Sequence, residues 1–139
     1  MGASTYVDGH PGWADPHARV YVKFRPGGAS AGALFLALLD TGGHYCILDQ
    51  VAAASVSDQL SEHLGSATLR TAYGSVRGDL YVLRIELIAE VGQDLGIETV
   101  TFISPDWRAP NYLGYTGVLD RVRFAVDPEV NRFFFGCNV

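Results

Sequence analysis

Sulfur is nearly missing from this chain: 139 residues hold one methionine and two cysteines, Cys46 and Cys137. The cysteines have no paired spacing, so they read as buried or idle thiols in a reducing compartment rather than as a disulfide, which predicts a cytoplasmic protein. Positive charge is scarce too. Ten Lys and Arg stand against fifteen Asp and Glu, for a net charge of −5. With no basic cluster, nucleic acid and anionic membrane are not expected as partners. The longest apolar run, Ala31 to Leu39, is far too short to span a bilayer. The opening residues lack the basic start and apolar stretch of a signal peptide, and Tyr6 stands where myristoylation wants Ser or Thr. Their Gly, Pro, His and Asp predict a flexible leader over residues 1–17, ahead of one domain over residues 18–139. GxSxG, P-loop, dinucleotide and HExxH fingerprints are missing as well.

What is present is a chain that can bury a core: 48% of residues are hydrophobic and 18% charged, which excludes a disordered chain. Alternation in "ARVYVKF" (Ala18 to Phe24) and the β-branched run "LGIETVTFIS" predict strands. "RPGGASAG" and "GQD" predict turns. "SVSDQLSEHLG" predicts a short helix, with Ser55 and Asp58 at capping-box spacing and Gly65 as its stop. "ATLRTAYGSVRGDLYVLRIELIAEV" reads as a hairpin turning at Tyr73-Gly74-Ser75, and the last residues read as another. Phe133-Phe134-Phe135 has no polar alternation, so it reads either as a doubly buried core strand or as one buried by a partner chain. Two short helices among seven or more strands predict an all-β domain, a barrel or a sandwich.

The sharpest local signal is "ALFLALLDTGGHYC", Ala33 to Cys46. An unbroken apolar strand with both faces buried ends on a carboxylate, where desolvation is costly, and then turns. Asp40 is either the acceptor of a polar turn or a group in use. Gly42 and Gly43 permit close backbone approach and φ > 0, and the Thr41 hydroxyl could tie the loop down. His44 and Cys46 would share a strand face, but two ligands fall short of a zinc site, and sequence neighbours rarely adopt base-to-nucleophile geometry. His10, His17 and His63 read as solvated, and Trp13 and Trp107 as loop residues without a role.

"ALLDTGG" resembles the active-site loop of retropepsin-like aspartic proteases, in a single-domain form of prokaryotic type. "RTAYGSVRG" resembles the flap hairpin of that family, and "NYLGYTGVLDRV" its second signature, an apolar pair and glycine leading into a short helix. The pieces follow in the family's order over residues 18–139. Two positions depart from the pattern: Gly43 replaces Ala or Ser, and Tyr115 follows Gly114 where retroviral members carry Arg.

The resemblance implies a closed retropepsin-like acid protease barrel with one or two short helices. It implies Asp40 as the catalytic carboxylate, Thr41, Gly42 and Gly43 as loop support, and Ala72, Tyr73, Gly74 and Ser75 as flap and substrate-binding residues. Leu113 and Gly114 form the second signature, and neither metal nor cofactor is implied. Aspartic proteolysis needs two carboxylates sharing a proton, and the chain has one Asp-Thr-Gly. A two-fold homodimer would present Asp40 twice at its axis, buried so that repulsion and desolvation keep one of the pair protonated. The expected activity is hydrolysis of extended peptide or protein substrates. The alternatives are a catalytically inactive retropepsin-fold module that binds peptide or dimerises, and an unrelated barrel for a small ligand with Asp40 merely structural.

Overall fold

The computed structural model describes residues 1–9, 19–28, 32–72 and 74–137. In chain order the elements are β1 (Gly2–Thr5), β2 (Val7–Asp8), β3 (Val20–Pro26), β4 (Phe35–His44), β5 (Cys46–Ile47), α1 (Gln50–Ser55), β6 (His63–Thr71) and β7 (Gly74–Leu87). There follow β8 (Val91–Gly92), β9 (Leu95–Ile103), β10 (Asn111–Thr116), a 3-10 turn (Leu119–Arg121), β11 (Val122–Asp127) and β12 (Arg132–Cys137). The expected all-β character is met. Among the described residues, no helix is long and apolar enough to cross a membrane.

The strands form two sheets, one ordered β11-β12-β1-β8 and the other β2-β3-β4-β10-β5-β9-β7-β6. In the larger sheet β3 also pairs with β7, Phe24 opposite Leu87, so the pairings from β3 through β4, β10, β5, β9 and β7 return to β3. Alternation fixes which side chains meet inside. Leu83, Ile85 and Leu87 of β7 and Val22 and Phe24 of β3 point into the main core. A smaller cluster of Ile47, Phe102 and Trp107 lies apart, with Leu69, Val76 and Tyr112 packed on it.

Several expectations are corrected. The first residues are not a mobile leader: β1 lies between β12 and β8, β2 pairs with β3, and Ala3, Ser4 and Tyr6 are buried. The Thr5 N–H and hydroxyl both reach Glu90, and the first of these bonds leads in holding that carboxyl below the usual range. His10, Trp13 and His17 lie outside the described residues, as does part of the turn after β3. The phenylalanine run is not the doubly buried core strand of the first reading. It alternates, with Phe133 and Phe135 buried in the chain's own core and Phe134 half-buried on the other face.

The helix also forms upstream of its predicted place, over Gln50–Ser55. Its cap is Asp49, whose carboxylate accepts from the Ala52 N–H at 2.9 Å. Ser55 sits in its last turn and donates back to the Ala52 carbonyl at 2.7 Å. Gly65, expected to stop a helix, lies at φ +124° where the β6–β7 register shifts, which marks a bulge. The winning cap is chosen by tertiary structure. The Asp49 N–H donates to Asn111 Oδ1 at 2.7 Å, and Asn111 Nδ2 donates to the Leu36 carbonyl at 3.0 Å.

Asn111 is buried and joins β10, β4 and the start of α1 through those two bonds. Asn111→Ala strands one N–H and one carbonyl and should cost about 3 kcal/mol. Equilibrium denaturation of wild type and variant measures this; a loss below about 1 kcal/mol would show that solvent replaces the amide.

Candidate functional site

The site begins with two strands distant in sequence that run parallel. β10 lies beside β4 with Leu113 opposite Leu39 and Gly114 opposite Asp40. Leu113 is buried in the main core, which anchors β10 from below. Gly114 is required by close approach: a Cβ there would sit 2.5 Å from the Tyr45 carbonyl oxygen and 2.8 Å from the His44 carbonyl carbon, both rigid backbone. The Gly114 N–H donates to the Tyr45 carbonyl at 2.9 Å, and the Tyr45 N–H donates to the Thr116 carbonyl at 3.1 Å. These bonds clamp the segment after Asp40 onto β10.

The loop itself differs from expectation in two respects. β4 does not end at Asp40 but runs on to His44, and the left-handed residue is Tyr45, at φ 68°, rather than Gly42 or Gly43. Nor is β4 buried on both faces. Only Ala37 and Leu38 are fully covered, and Asp40 is half-buried within the single chain. Gly42 N–H donates to Asp40 Oδ1 at 3.2 Å. A Cβ on Gly43 would lie 2.8 Å from Asp40 Cγ, so the small residue leaves the carboxyl its position over the loop. Thr41 is exposed, and among the described residues its hydroxyl has no hydrogen-bond partner.

The β6–β7 hairpin supplies a cover. β7 pairs with β9 only over Asp79 to Leu87, whereas residues 74–78 pair with β6 alone. The outer hairpin is therefore a two-stranded ribbon, marginal by itself. Gly78 lies at the departure point, where a Cβ would meet the Ile103 carbonyl and the Phe102 ring. At the tip, the Thr71 hydroxyl donates to the Gly74 carbonyl at 2.8 Å and Gly74 takes φ +115°. Tyr73 lies outside the described residues.

A cavity of about 730 Å³ joins these parts. Asp40, Gly42 and Gly43 line it from the loop, and Ala72 and Ser75 from the hairpin. Gly74 shapes the turn, and Leu113 and Gly114 stand behind the loop rather than in the cavity. The remaining wall is one that sequence reasoning missed, the loop of Asp106 to Ala109. Trp107 is buried, packs edge-on against Tyr112 at 5.5 Å between centroids, and donates its indole N–H to the Pro110 carbonyl at 2.9 Å. Gln50 Nε2 pins the same loop through the Ser104 and Trp107 carbonyls, at 2.8 and 3.1 Å. A tryptophan between two prolines in a polar loop was the available signal, because so large an apolar surface needs something to cover it.

His44 and Cys46 do not share a face. His44 is exposed and lines the cavity, while Cys46 is fully buried beyond the Tyr45 turn, its thiol pushed up to about 12 by burial. Among the described residues no three His, Cys, Asp or Glu side chains cluster as metal ligands would. No protein-family model matches the chain, and no curated protein matches it in sequence.

Two outcomes follow from this geometry. Gly114→Ala forces a methyl group against backbone and should cost about 2 kcal/mol or more, seen as a lowered denaturation midpoint, since neither facing backbone atom can rotate away. At the root of the hairpin, His63 Nε2 and Ser66 Oγ each lie 3.1 Å from Asp79 Oδ1, and these bonds, His63 foremost, hold the Asp79 carboxyl below the usual range. A depressed carboxyl stabilises the fold above its unfolded value, and that contribution is lost as pH falls through the folded value. Melting curves of wild type and Asp79→Asn should therefore differ at neutral pH and converge in acid; curves that stay equally apart at every pH would contradict the clasp.

Proposed function

We propose that the chain is one half of a homodimeric, retropepsin-like aspartic endopeptidase. The observation that carries this reading is the parallel contact of β4 and β10, which accompanies the placing of Asp40 and Gly42 in one cavity with Ala72 and Ser75 of a long hairpin. The returning ring of strand pairings supports a closed barrel of that type. A second hollow of about 360 Å³ also touches Asp40 and Thr41, beside Leu39, Phe124 and Val126. That apolar surface and the unpartnered Thr41 hydroxyl are what a second copy would cover.

In the dimer two Asp40 carboxyl groups share one proton. The ionised group takes a proton from water, whose oxygen attacks the peptide carbonyl carbon, while the protonated group gives its proton to the carbonyl oxygen. The tetrahedral intermediate then expels the amine, which leaves with a proton returned by the pair. Gly42 N–H orients one carboxylate oxygen from within the chain. An extended peptide lies along the cavity under the hairpin, bound by main-chain hydrogen bonds and apolar pockets.

Asp40→Asn should fold with an unchanged midpoint and lose cleavage of a proteome-derived peptide pool by about a thousandfold or more, since it removes base and acid together. Specific activity of wild type should fall on dilution as dimers separate. Equal cleavage by wild type and Asp40→Asn would refute catalysis by Asp40. Peptide binding by both, with cleavage by neither, would identify a binding module.

A further inference from the structure

The cavity walls carry charge that peptide hydrolysis itself does not use. Arg70 comes from the hairpin arm, and Arg108 from the loop that Gln50 pins, and both line the cavity. Arg108 Nη1 donates to the Pro105 carbonyl at 3.0 Å, and neither arginine has an ion-pair partner among the described residues. Between them the wall is apolar, with Trp107, Ile47 and Leu69. The opposing charges are Asp40, at the reacting position, and Asp106, two residues before Arg108.

We propose that this cleft selects peptides carrying an acidic side chain at one position, held by Arg70 and Arg108, next to an apolar side chain seated on Trp107. The proposal rests on the reading of the cavity as a peptide-binding cleft. A guanidinium presents a planar fork that matches a carboxylate through two parallel bonds, and because Arg70 and Arg108 are both exposed the preference they confer is modest. The two arginines come from separate walls of the one cavity. Asp106 shares a loop with Arg108 and competes for it, which weakens the selection without reversing it. The net charge of −5 favours basic peptides at long range, so the preference belongs to one position and not to the whole substrate.

The test uses fluorescein-labelled short peptides in which each position in turn carries Glu, Gln or Lys, with binding to Asp40→Asn protein read by anisotropy and cleavage by wild type read by mass spectrometry. At one position Glu should bind about five-fold tighter than Gln, the range of a charge-assisted pair at a partly exposed site. Arg108→Gln and Arg70→Gln, introduced into the same background, should each reduce that ratio, and Asp106→Asn should raise it. Glu and Gln binding alike at every position, no binding at all, or a ratio that survives both arginine substitutions would overturn the proposal. Acid-selective binding without cleavage by wild type would leave the selectivity standing and remove the protease. Cleavage without acid selectivity would do the reverse.

Discussion

The arrangement of this molecule depends on one close backbone contact, the passage of Gly114 against the segment that follows Asp40. Only a residue without a side chain lets the Gly114 N–H reach the Tyr45 carbonyl while Tyr45 returns a bond to Thr116. Through this exchange β10 becomes the floor on which the loop rests, and Leu113 ties that floor to the core. The position of the Asp40 carboxyl is thus inherited from a strand more than seventy residues away, by the register that sets Gly114 opposite Asp40.

From that floor the two walls of the cavity differ in kind. The Trp107 wall is held by an indole N–H, a glutamine amide and aromatic packing, each directed at backbone or core. The hairpin wall has a firm root, where Gly78 lies against Phe102 and Asp79 gathers His63 and Ser66, and beyond it a ribbon without a third strand. A stiff wall opposite a two-stranded ribbon would suit the peptide cleft proposed above.

Much of this was legible in the sequence, for identifiable reasons. Alternation placed β3, β-branched content placed β9, and the turn residues at Tyr73-Gly74-Ser75 placed the hairpin of β6 and β7, save for the first residues of β6. What could not be read was decided by partners distant in the chain. The helix chose Asp49 over Ser55 because Asn111 holds the Asp49 amide, and no window of sequence contains both residues. The first residues looked like a leader because the Gly, Pro, His and Asp of that stretch carry little strand propensity; β1 is ordered by β12 and β8 on either side. Trp107 was passed over because its neighbours are polar, although its packing defines a wall of the site.

The position of β1 has a consequence for how the chain reaches this state. Gly2 pairs with Phe135, so the smaller sheet joins strands far apart in sequence, and its central pairing closes the longest loop among the strand pairings described. Contacts of that span form late, because the entropy of closing the loop is lost before any pairing energy is gained. During synthesis β1 is made before its partner β12, and Ala3 of β1 and the adjoining Tyr6 stay uncovered while the strands between are made. The larger sheet, whose strands all fall between β2 and β10 with only β8 of that stretch belonging elsewhere, can assemble in that interval. Closure of the terminal sheet is then the step that ends the vulnerable phase of folding, and slowing β12 would leave a nearly complete domain with an open, adhesive edge.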